Sequence, residues 1–367
     1  MDFEDRKKAD AFLGLAGWDN AKWEPLVPDA STRLYFRLDK KDQNAILMFA
    51  PAYGETKTCP LDAAAAQRAA LGYTAEARLA GNDCTAFLGI ARELANRGFA
   101  TPTILAADPL AGLVLLEDLG DALFANLLAQ NPNMETELYR AAITLLGALA
   151  RSSFEQDFRY YDHVWPVQSY DLTALLVEVK LLEDWYLPHC KVDVDANLQG
   201  QLAQAWRAVL GPVLQAQPVL VLRDFHAENL IWLLKRDGIA KVGLLDFQDA
   251  VFGHPAYDLV SLLQDARRDV EPELESPMIE QFLSESKWPD PIGFRSAYRV
   301  LGAQRAAKIL GIFVRLAKRD GKSKYLELLP RVERHFTNNL NDPALAPVAE
   351  LLRPLMPHLF SQKAVSA

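Results

Sequence analysis

The sequence has little cysteine, no excess of positive charge and no long apolar run. Its three cysteines, Cys59, Cys84 and Cys190, are odd in number and scattered along 367 residues, which favours reduced thiols over a disulfide framework or a zinc site. Acidic residues outnumber basic ones by 48 to 39, giving a formal net charge of −9. Nucleic acids and anionic membranes attract proteins with excess lysine and arginine, so neither is expected as a partner.

The N-terminal segment MDFEDRKKADAFLGL places charges among its apolar residues. A secretory signal needs an unbroken apolar stretch, and a transmembrane helix needs about 20 such residues. Half of the residues are hydrophobic, so the chain can bury a large core and is long enough for two domains. We therefore expect a cytoplasmic protein, and a monomer.

The first part of the chain has strand patterns. Residues 32–38 (TRLYFRL) and 44–50 (NAILMFA) are rich in β-branched and aromatic residues, and the polar segment DKKDQ between them predicts a hairpin. A helical pattern at 85–99 precedes a buried strand within 111–121. Residues 53–83 have no clear amphipathic period and are predicted to be an insertion.

Long helical patterns dominate the rest of the chain and cover residues 121–130, 134–152, 170–187, 196–215, 256–268, 295–319 and 323–340. Two short strands interrupt them at 230–234 and 241–245, joined by a turn in KRDGIA. The predicted fold class is therefore α+β. A small β-rich lobe at 1–119 precedes a larger, mainly helical lobe at 120–367.

The segment VLRDFHAENLIWL (221–233) places Asp224 and Asn229 on a short bend between two apolar runs. A buried carboxylate or amide costs free energy unless it is satisfied. Asp246 follows the next strand, in GLLDFQDA, so the hairpin delivers it to the same end as Asn229. Carboxylate and amide oxygens suit Mg²⁺, which leaves Asp224 free to accept a proton. The alternative is an Asx-type turn that closes two strands.

The chain thus offers a base, then a metal-binding amide, then a metal-binding carboxylate. This order resembles the pattern of the protein-kinase-like phosphotransferases. LRDFHAEN stands where the aminoglycoside phosphotransferase-like small-molecule kinases have His-Gly-Asp-x-x-x-x-Asn, and LLDFQDA and GHPAYDLVSLL follow in family order. The resemblance implies a two-lobed protein-kinase-like fold with ATP and Mg²⁺ as cofactors. It assigns Asp224 as the base for the substrate hydroxyl and Asn229 and Asp246 as magnesium ligands.

Two further residues would support the catalytic loop by the same resemblance. Arg223 directly precedes the base, and Asp258 lies in AYDL further along the chain. An ordinary helix N-cap is the alternative role for Asp258. His226 has no role in this scheme, so we predict a packed or surface histidine.

The first lobe departs from the kinase pattern in two places. PDASTRLYFRL (28–38) stands where protein kinases have a glycine-rich flap, so Ser31 and Thr32 would help to cradle phosphate. Met48 stands where the phosphate-pairing lysine is expected. Either the protein binds nucleotide poorly, as a pseudokinase does, or another cation replaces the lysine, the candidates being Arg33, Arg37 and Lys57.

The polar corner after the strand in 111–121 is the expected adenine site. In the resemblance, the nucleotide base binds the backbone of Glu117, Asp118 and Leu119, within LLEDLGD. Met48 on the neighbouring strand completes the predicted nucleotide-binding residues.

A narrower resemblance concerns the acceptor. Five segments look like those of the bacterial cell-wall amino-sugar kinases: DASTRLYFRL, ILMFAP, LLEDLGD, SYDLTALLVEVKLLEDWYL and LRDFHAENLIWL. These enzymes phosphorylate N-acetylmuramate and N-acetylglucosamine at the anomeric hydroxyl. A methionine at position 48 is usual in that group, whereas Phe49 replaces the aspartate that normally follows. The alternatives are a kinase of another small alcohol, such as an aminoglycoside, choline or a homoserine-like compound, and a pseudokinase.

Two predicted helices carry candidates for acceptor binding. Asp171, Glu178 and Trp185 lie at heptad spacing on one stripe, and carboxylates beside an indole suit a sugar. The alternative is a solvated face with a packed tryptophan. On a later helix, Arg305 and Lys308 either meet an acidic substrate, such as the lactyl carboxylate of muramate, or face water.

Overall fold

The structure, a computed structural model, describes residues 1–26, 33–41, 43–51 and 59–360. Its strands are β1 (Lys22–Leu26), β2 (Leu34–Lys40), β3 (Gln43–Phe49), β4 (Ile104–Asp108), β5 (Leu113–Glu117), β6 (Asp157–Tyr160), β7 (His163–Pro166), β8 (Val219–Val221), β9 (Leu230–Trp232), β10 (Val242–Leu244) and β11 (Val251–Gly253).

The α-helices are α1 (Phe3–Leu15), α2 (Ala65–Leu71), α3 (Tyr73–Glu76), α4 (Cys84–Ala95), α5 (Phe124–Gln130), α6 (Glu135–Arg151), α7 (Leu172–Leu181), α8 (Leu187–His189), α9 (Ala196–Val213), α10 (Ala256–Leu263), α11 (Pro272–Ser286), α12 (Pro291–Asp320), α13 (Leu329–Leu340), α14 (Ala346–Leu352) and α15 (Pro357–Phe360). Among the residues that the structure describes, no helix is long and apolar enough to cross a membrane.

The chain forms two compact units. The first comprises Met1–Leu145, Glu155–Gln168 and Glu228–Ala250, and the second comprises Leu146–Phe154, Ser169–Ala227 and the described residues from Val251 onward. The assignment of nucleotide binding to 1–119 and of catalysis to 120–367 concerns function and stays a prediction.

A five-stranded antiparallel sheet, in the order β1-β2-β3-β5-β4, forms the centre of the first unit. The predicted hairpin is confirmed as β2 and β3, in which Tyr35 lies opposite Met48. Successive strand residues point to opposite faces. Leu47 and Phe49 pack with Leu13 of α1 in one core, so Met48 is buried on the other face of the sheet.

The β9–β10 hairpin also belongs to the first unit and confirms the two predicted strands around KRDGIA. The Leu244 N–H donates to the Ala100 carbonyl at 2.7 Å. Phe247 stacks on Phe87 of α4 with ring centroids 5.0 Å apart. These contacts hold the segment that carries Asp246 against the rest of the unit.

The described part of the predicted insertion, 59–83, contains α2 and α3. Two buried arginines hold it together. Arg68 donates to the Glu76 carbonyl, and Arg78 donates to the carbonyls of Pro60 and Leu61 at 3.2 and 3.3 Å. The arginine-to-carbonyl bonds order a segment whose apolar residues show no helical period.

The second unit is mainly helical and carries one short β8–β11 pair. Its longest helix, α12, has 30 residues and packs along α7. A side chain at Gly311 would collide with the Leu181 backbone, since a Cβ there would lie 2.2 Å from the carbonyl oxygen. Glycine therefore permits the close approach of the two helices. The sheet of the first unit and the helices of the second confirm the predicted α+β class.

Candidate active site

The catalytic loop predicted from the sequence follows β8 in the second unit. The buried Asp258 carboxylate accepts the N–H groups of Leu222 and Arg223 at 2.7 and 2.9 Å. Asp258 lies in the first turn of α10, whose N-cap is Pro255, so its side chain supports the loop and does not cap the helix. Burial raises the pKa of Asp258 to about 7 even though the two N–H groups lower it.

Backbone strain marks the same loop. Arg223 has φ of +71°, in the left-handed region that residues other than glycine rarely adopt. Such strain persists only where the surroundings fix it, and it clusters at functional sites. The Arg223 guanidinium is buried and ion-paired to Glu178, and its backbone is held by Asp258, so the residue before Asp224 is anchored at both ends.

Asp224 is partly accessible and lies among cations. Its side chain is 37% exposed, and its Oδ1 lies 4.0 Å from Nη2 of Arg305. Burial raises the pKa of Asp224, but the positive charges of Lys308 and Arg305 lower it by more. The result is an ionised carboxylate that a ligand can reach.

Glu178 is the centre of a buried ionic network in the second unit. It is fully buried and accepts from Lys308 Nζ at 2.9 Å, from Gln304 Nε2 at 3.0 Å, from Arg223 Nη2 and from the Tyr170 hydroxyl. Burial raises the pKa of Glu178, while Lys308 and Arg223 lower it below its ordinary value. Glu178 therefore stays ionised and holds Lys308 in place.

The interpretation that Arg305 and Lys308 face water is wrong. Arg305 is 6% exposed and donates to Ser261 Oγ at 2.6 Å, and the side chain of Lys308 is 12% exposed. Both residues lie on α12, which packs against α7 and α10. The sequence contained the polar cluster but no sign of the partner that it meets.

The other two acceptor candidates lie differently from the predicted stripe. Asp171 is the N-cap of α7 and accepts the Ala174 N–H at 2.9 Å. A π-helical turn at Leu182–Tyr186 interrupts the predicted helix. Because a π turn has a different angular step per residue, the regular heptad spacing assumed for half-buried Trp185 does not hold through this turn. In the described part of the second unit, Lys308 pairs with Glu178 at 2.9 Å and Arg305 lies 4.0 Å from Asp224.

The two proposed metal ligands lie in the first unit. The Leu245 N–H donates to the Asn229 carbonyl at 3.0 Å, which joins the start of β9 to the residue before Asp246. Asp246 has φ of +53° and accepts from Gln248 Nε2 at 2.8 Å. An amide oxygen and a carboxylate are the donors that Mg²⁺ uses when phosphates and waters complete its shell, so these residues fit magnesium.

The predicted nucleotide-binding residues also belong to the first unit. Met48 is buried on β3. Glu117 ends β5 and pairs with Arg236 at 2.7 Å, and half-buried Leu119 follows two residues later. Asp118 accepts from Arg37 Nε at 2.7 Å. Ser31, Thr32 and Lys57 lie outside the described residues.

Some neighbours of the site had no local signal in the sequence. Ser261 contacts Arg305 from a different helix of the second unit, and Tyr170, just before α7, contacts Glu178. His226, by contrast, is packed as predicted. It is buried, and burial lowers its pKa to about 4.

A family model described as the phosphotransferase enzyme family matches residues 22–291. The N-acetylmuramate/N-acetylglucosamine kinase of Caulobacter vibrioides is 43% identical over 336 residues, which cover 92% of this chain and 92% of that protein. The protein of the same name from Pseudomonas aeruginosa is 30% identical over 354 residues, 92% of this chain and 91% of that one.

The fold is found among solved structures. The GDP complex of aminoglycoside 2'-phosphotransferase-IIIa superposes with a TM-score of 0.57 over 92% of this chain and 100% of that chain, at 17% identity. This similarity concerns the fold alone, and it confirms the predicted protein-kinase-like class.

Proposed function

Because the chain belongs to the phosphotransferase enzyme family, we propose that it is an ATP-dependent kinase of N-acetylmuramate and N-acetylglucosamine. The observation that carries this proposal is the 43% identity over 92% of both chains to a relative that bears that name. The match extends over 92% of this chain and so includes most of the segments that we assign to nucleotide and acceptor binding. The accessible, ionised Asp224 supports the same activity.

Asp224 acts as the general base in this proposal. Its carboxylate accepts the proton of the anomeric hydroxyl while that oxygen forms a bond to the γ-phosphorus of ATP and the bond to the β-phosphate oxygen breaks, which releases ADP. Lys308 and Arg305 lower the pKa of Asp224 and so make it a weak base. A hemiacetal hydroxyl is more acidic than an ordinary alcohol, so a weak base suffices.

Asn229 and Asp246 would hold magnesium. Bound Mg²⁺ would neutralise the charge of the nucleotide phosphates. Asp246 reaches its position through the hydrogen bonds of Leu245 and Gln248. We assign adenine binding to the backbone of Glu117, Asp118 and Leu119, and phosphate binding to Ser31 and Thr32, from the family resemblance.

Arg305 and Lys308 are the cations that we assign to the lactyl carboxylate of N-acetylmuramate. Glu178 is fully buried beneath Lys308, so we assign its part in acceptor binding to holding Lys308. Asp171 and Trp185 remain candidates for contacts with the sugar. The three cysteines are free thiols, which suits a reducing compartment, and we place the reaction in the cytoplasm with the chain as a monomer.

Phosphorus NMR of the product tests this function. The protein is incubated with ATP, Mg²⁺ and each amino sugar, and Asp224→Asn serves as the inactive control. We expect a sugar 1-phosphate that mild acid hydrolyses and whose sugar is no longer reducing. An acid-stable 6-phosphate, or turnover only of an amino alcohol or an aminoglycoside, would contradict the proposed acceptor.

A further inference from the structure

The position of the expected lysine is filled by an uncharged side chain. Met48 is fully buried on β3, between Tyr35 of β2 and Val114 of β5. Residues directly opposite each other in an antiparallel pair project to the same face. Tyr35 therefore occupies the face toward which a lysine at position 48 would point.

Arg33 is a buried cation at the start of β2. It immediately precedes the strand and is 7% exposed. Continuing the alternation by one residue places its side chain on the same face as that of Tyr35. Its Nη2 donates to the Gly81 carbonyl, and the neighbouring Ala80 N–H donates to Asp249 Oδ1 at 2.6 Å.

The electrostatics link Arg33 to the proposed metal-binding segment. Burial lowers the pKa of the Arg33 guanidinium, but its acidic neighbours raise it by more, and these neighbours include Tyr35, Asp249 and Asp246. Burial also raises the pKa of the Tyr35 hydroxyl, which Arg33 lowers and Asp246 raises. The positive charge of Arg33 therefore interacts favourably with Asp249 and Asp246, and its contact with Gly81 lies next to the residue that binds Asp249.

The other described candidate cation on this hairpin is engaged elsewhere. Arg37 pairs with Asp118 at 2.7 Å and with Asp121 at 2.6 Å. Side chains at i and i+4 of a strand share a face but lie about 13 Å apart along it. Arg37 therefore pairs with the acidic residues of the polar corner after β5, whereas the charge of Arg33 acts on the acidic residues after β10.

We propose that Arg33 supplies the positive charge that a lysine at position 48 would place beside Asp246, and that it is a positioning residue for binding of the magnesium nucleotide. The inference rests on the proposed function only for the use of a magnesium nucleotide. In this arrangement the positive charge lies at the start of β2, on Arg33, and not on β3. Nucleotide binding then needs no lysine at position 48.

Three variants separate charge from structure. Arg33→Gln removes the charge but keeps a donor for the Gly81 carbonyl, Arg33→Lys keeps the charge, and Arg33→Gln combined with Met48→Lys moves the charge to β3. Arg97→Met is the control, because Arg97 is a partly buried arginine of the same unit that pairs with Glu93. Titration calorimetry measures the Kd for Mg-ADP without any acceptor, and kinetics give KM for ATP and kcat.

We expect Arg33→Gln to weaken Mg-ADP binding about tenfold, as loss of a charged interaction does. KM for ATP should rise more than kcat falls, and the concentration of Mg²⁺ needed for half-maximal binding should increase. Arg33→Lys and the double variant should recover most of the affinity, and Arg97→Met should bind like the parent.

Equal Kd values for Arg33→Gln and the parent would overturn the inference. Equal losses of Mg-ADP affinity in Arg33→Lys and Arg33→Gln would also overturn it. If Arg33→Gln fails to fold, then Arg33→Lys decides. It must bind Mg-ADP within about threefold of the parent, and a larger loss would overturn the inference. Normal Mg-ADP binding without sugar phosphorylation would contradict the proposed acceptor and leave the role of Arg33 intact.

Discussion

Replacing Glu178 by alanine should destabilise the protein strongly, because it removes the buried carboxylate that pairs with Lys308 and Arg223. At 2.9 Å and an effective dielectric constant of about 20, its attraction to Lys308 is ~6 kcal/mol before desolvation. Arg223 loses its ion pair in the same variant. Leaving a buried charge without its partner costs ~3–5 kcal/mol, so we expect the free energy of unfolding to fall by about that amount.

Urea unfolding followed by circular dichroism measures this loss, and the midpoint should shift without a change in slope. Asp184→Ala is a matched control on the adjoining turn. Asp184 pairs with Lys180 at 2.9 Å, but both side chains are exposed, so its removal should cost less than about 1 kcal/mol. Glu178→Gln should lie between the two, because it keeps hydrogen-bond acceptors and loses the charge.

A loss of less than about 1 kcal/mol in Glu178→Ala would refute the reasoning. It would mean that Lys308 and Arg223 find water or other partners once the carboxylate is gone. Equal losses in Glu178→Ala and Glu178→Gln would identify charge, and not hydrogen bonding, as the source of the stabilisation.

Four further outcomes are expected. Asp224→Asn should abolish phosphoryl transfer and leave the Kd for Mg-ATP nearly unchanged in calorimetry; transfer within tenfold of the parent would exclude Asp224 as the base. Asp246→Ala should abolish Mg²⁺-dependent nucleotide binding, and an unchanged Kd would exclude it as a ligand. Lys308→Met should raise the pKa of Asp224, so the acid limb of kcat/KM should move to higher pH; an unmoved limb would contradict this. Burial lowers the pKa of His254 to about 4, so the unfolded chain, with a pKa of about 6.5, takes up a proton first and stability is lost as pH falls from about 6.5 to 4. His254→Phe should therefore reduce the stability difference between about pH 7 and 5 by ~2 kcal/mol in urea titrations, and an unchanged difference would show that His254 titrates normally.

The local sequence pattern was sufficient to predict those elements whose neighbours in sequence are also their neighbours in space. The β2–β3 and β9–β10 hairpins, α4 and α9 follow from alternation, amphipathic period and turn residues. A polar bend between two apolar runs was enough to single out Asp224 and Asn229.

Elements whose state depends on a distant partner were missed. β1 (KWEPL) contains a proline and two charges, and it is a strand because it pairs along β2. The π turn at Leu182–Tyr186 likewise leaves no local signal, since the predicted helix pattern continues through it. Propensity is a weak guide in both segments because tertiary contacts override it.

By itself the sequence determined the α+β class and the absence of a lysine at position 48, and it predicted a base followed by two metal ligands. Only the tertiary structure decided what the other charged residues do. Glu178 and Lys308 are 130 positions apart, yet they form a buried ion pair because α12 packs closely on α7 at Gly311. Charges act through distance in space and through burial, and neither quantity can be read from positions along the chain.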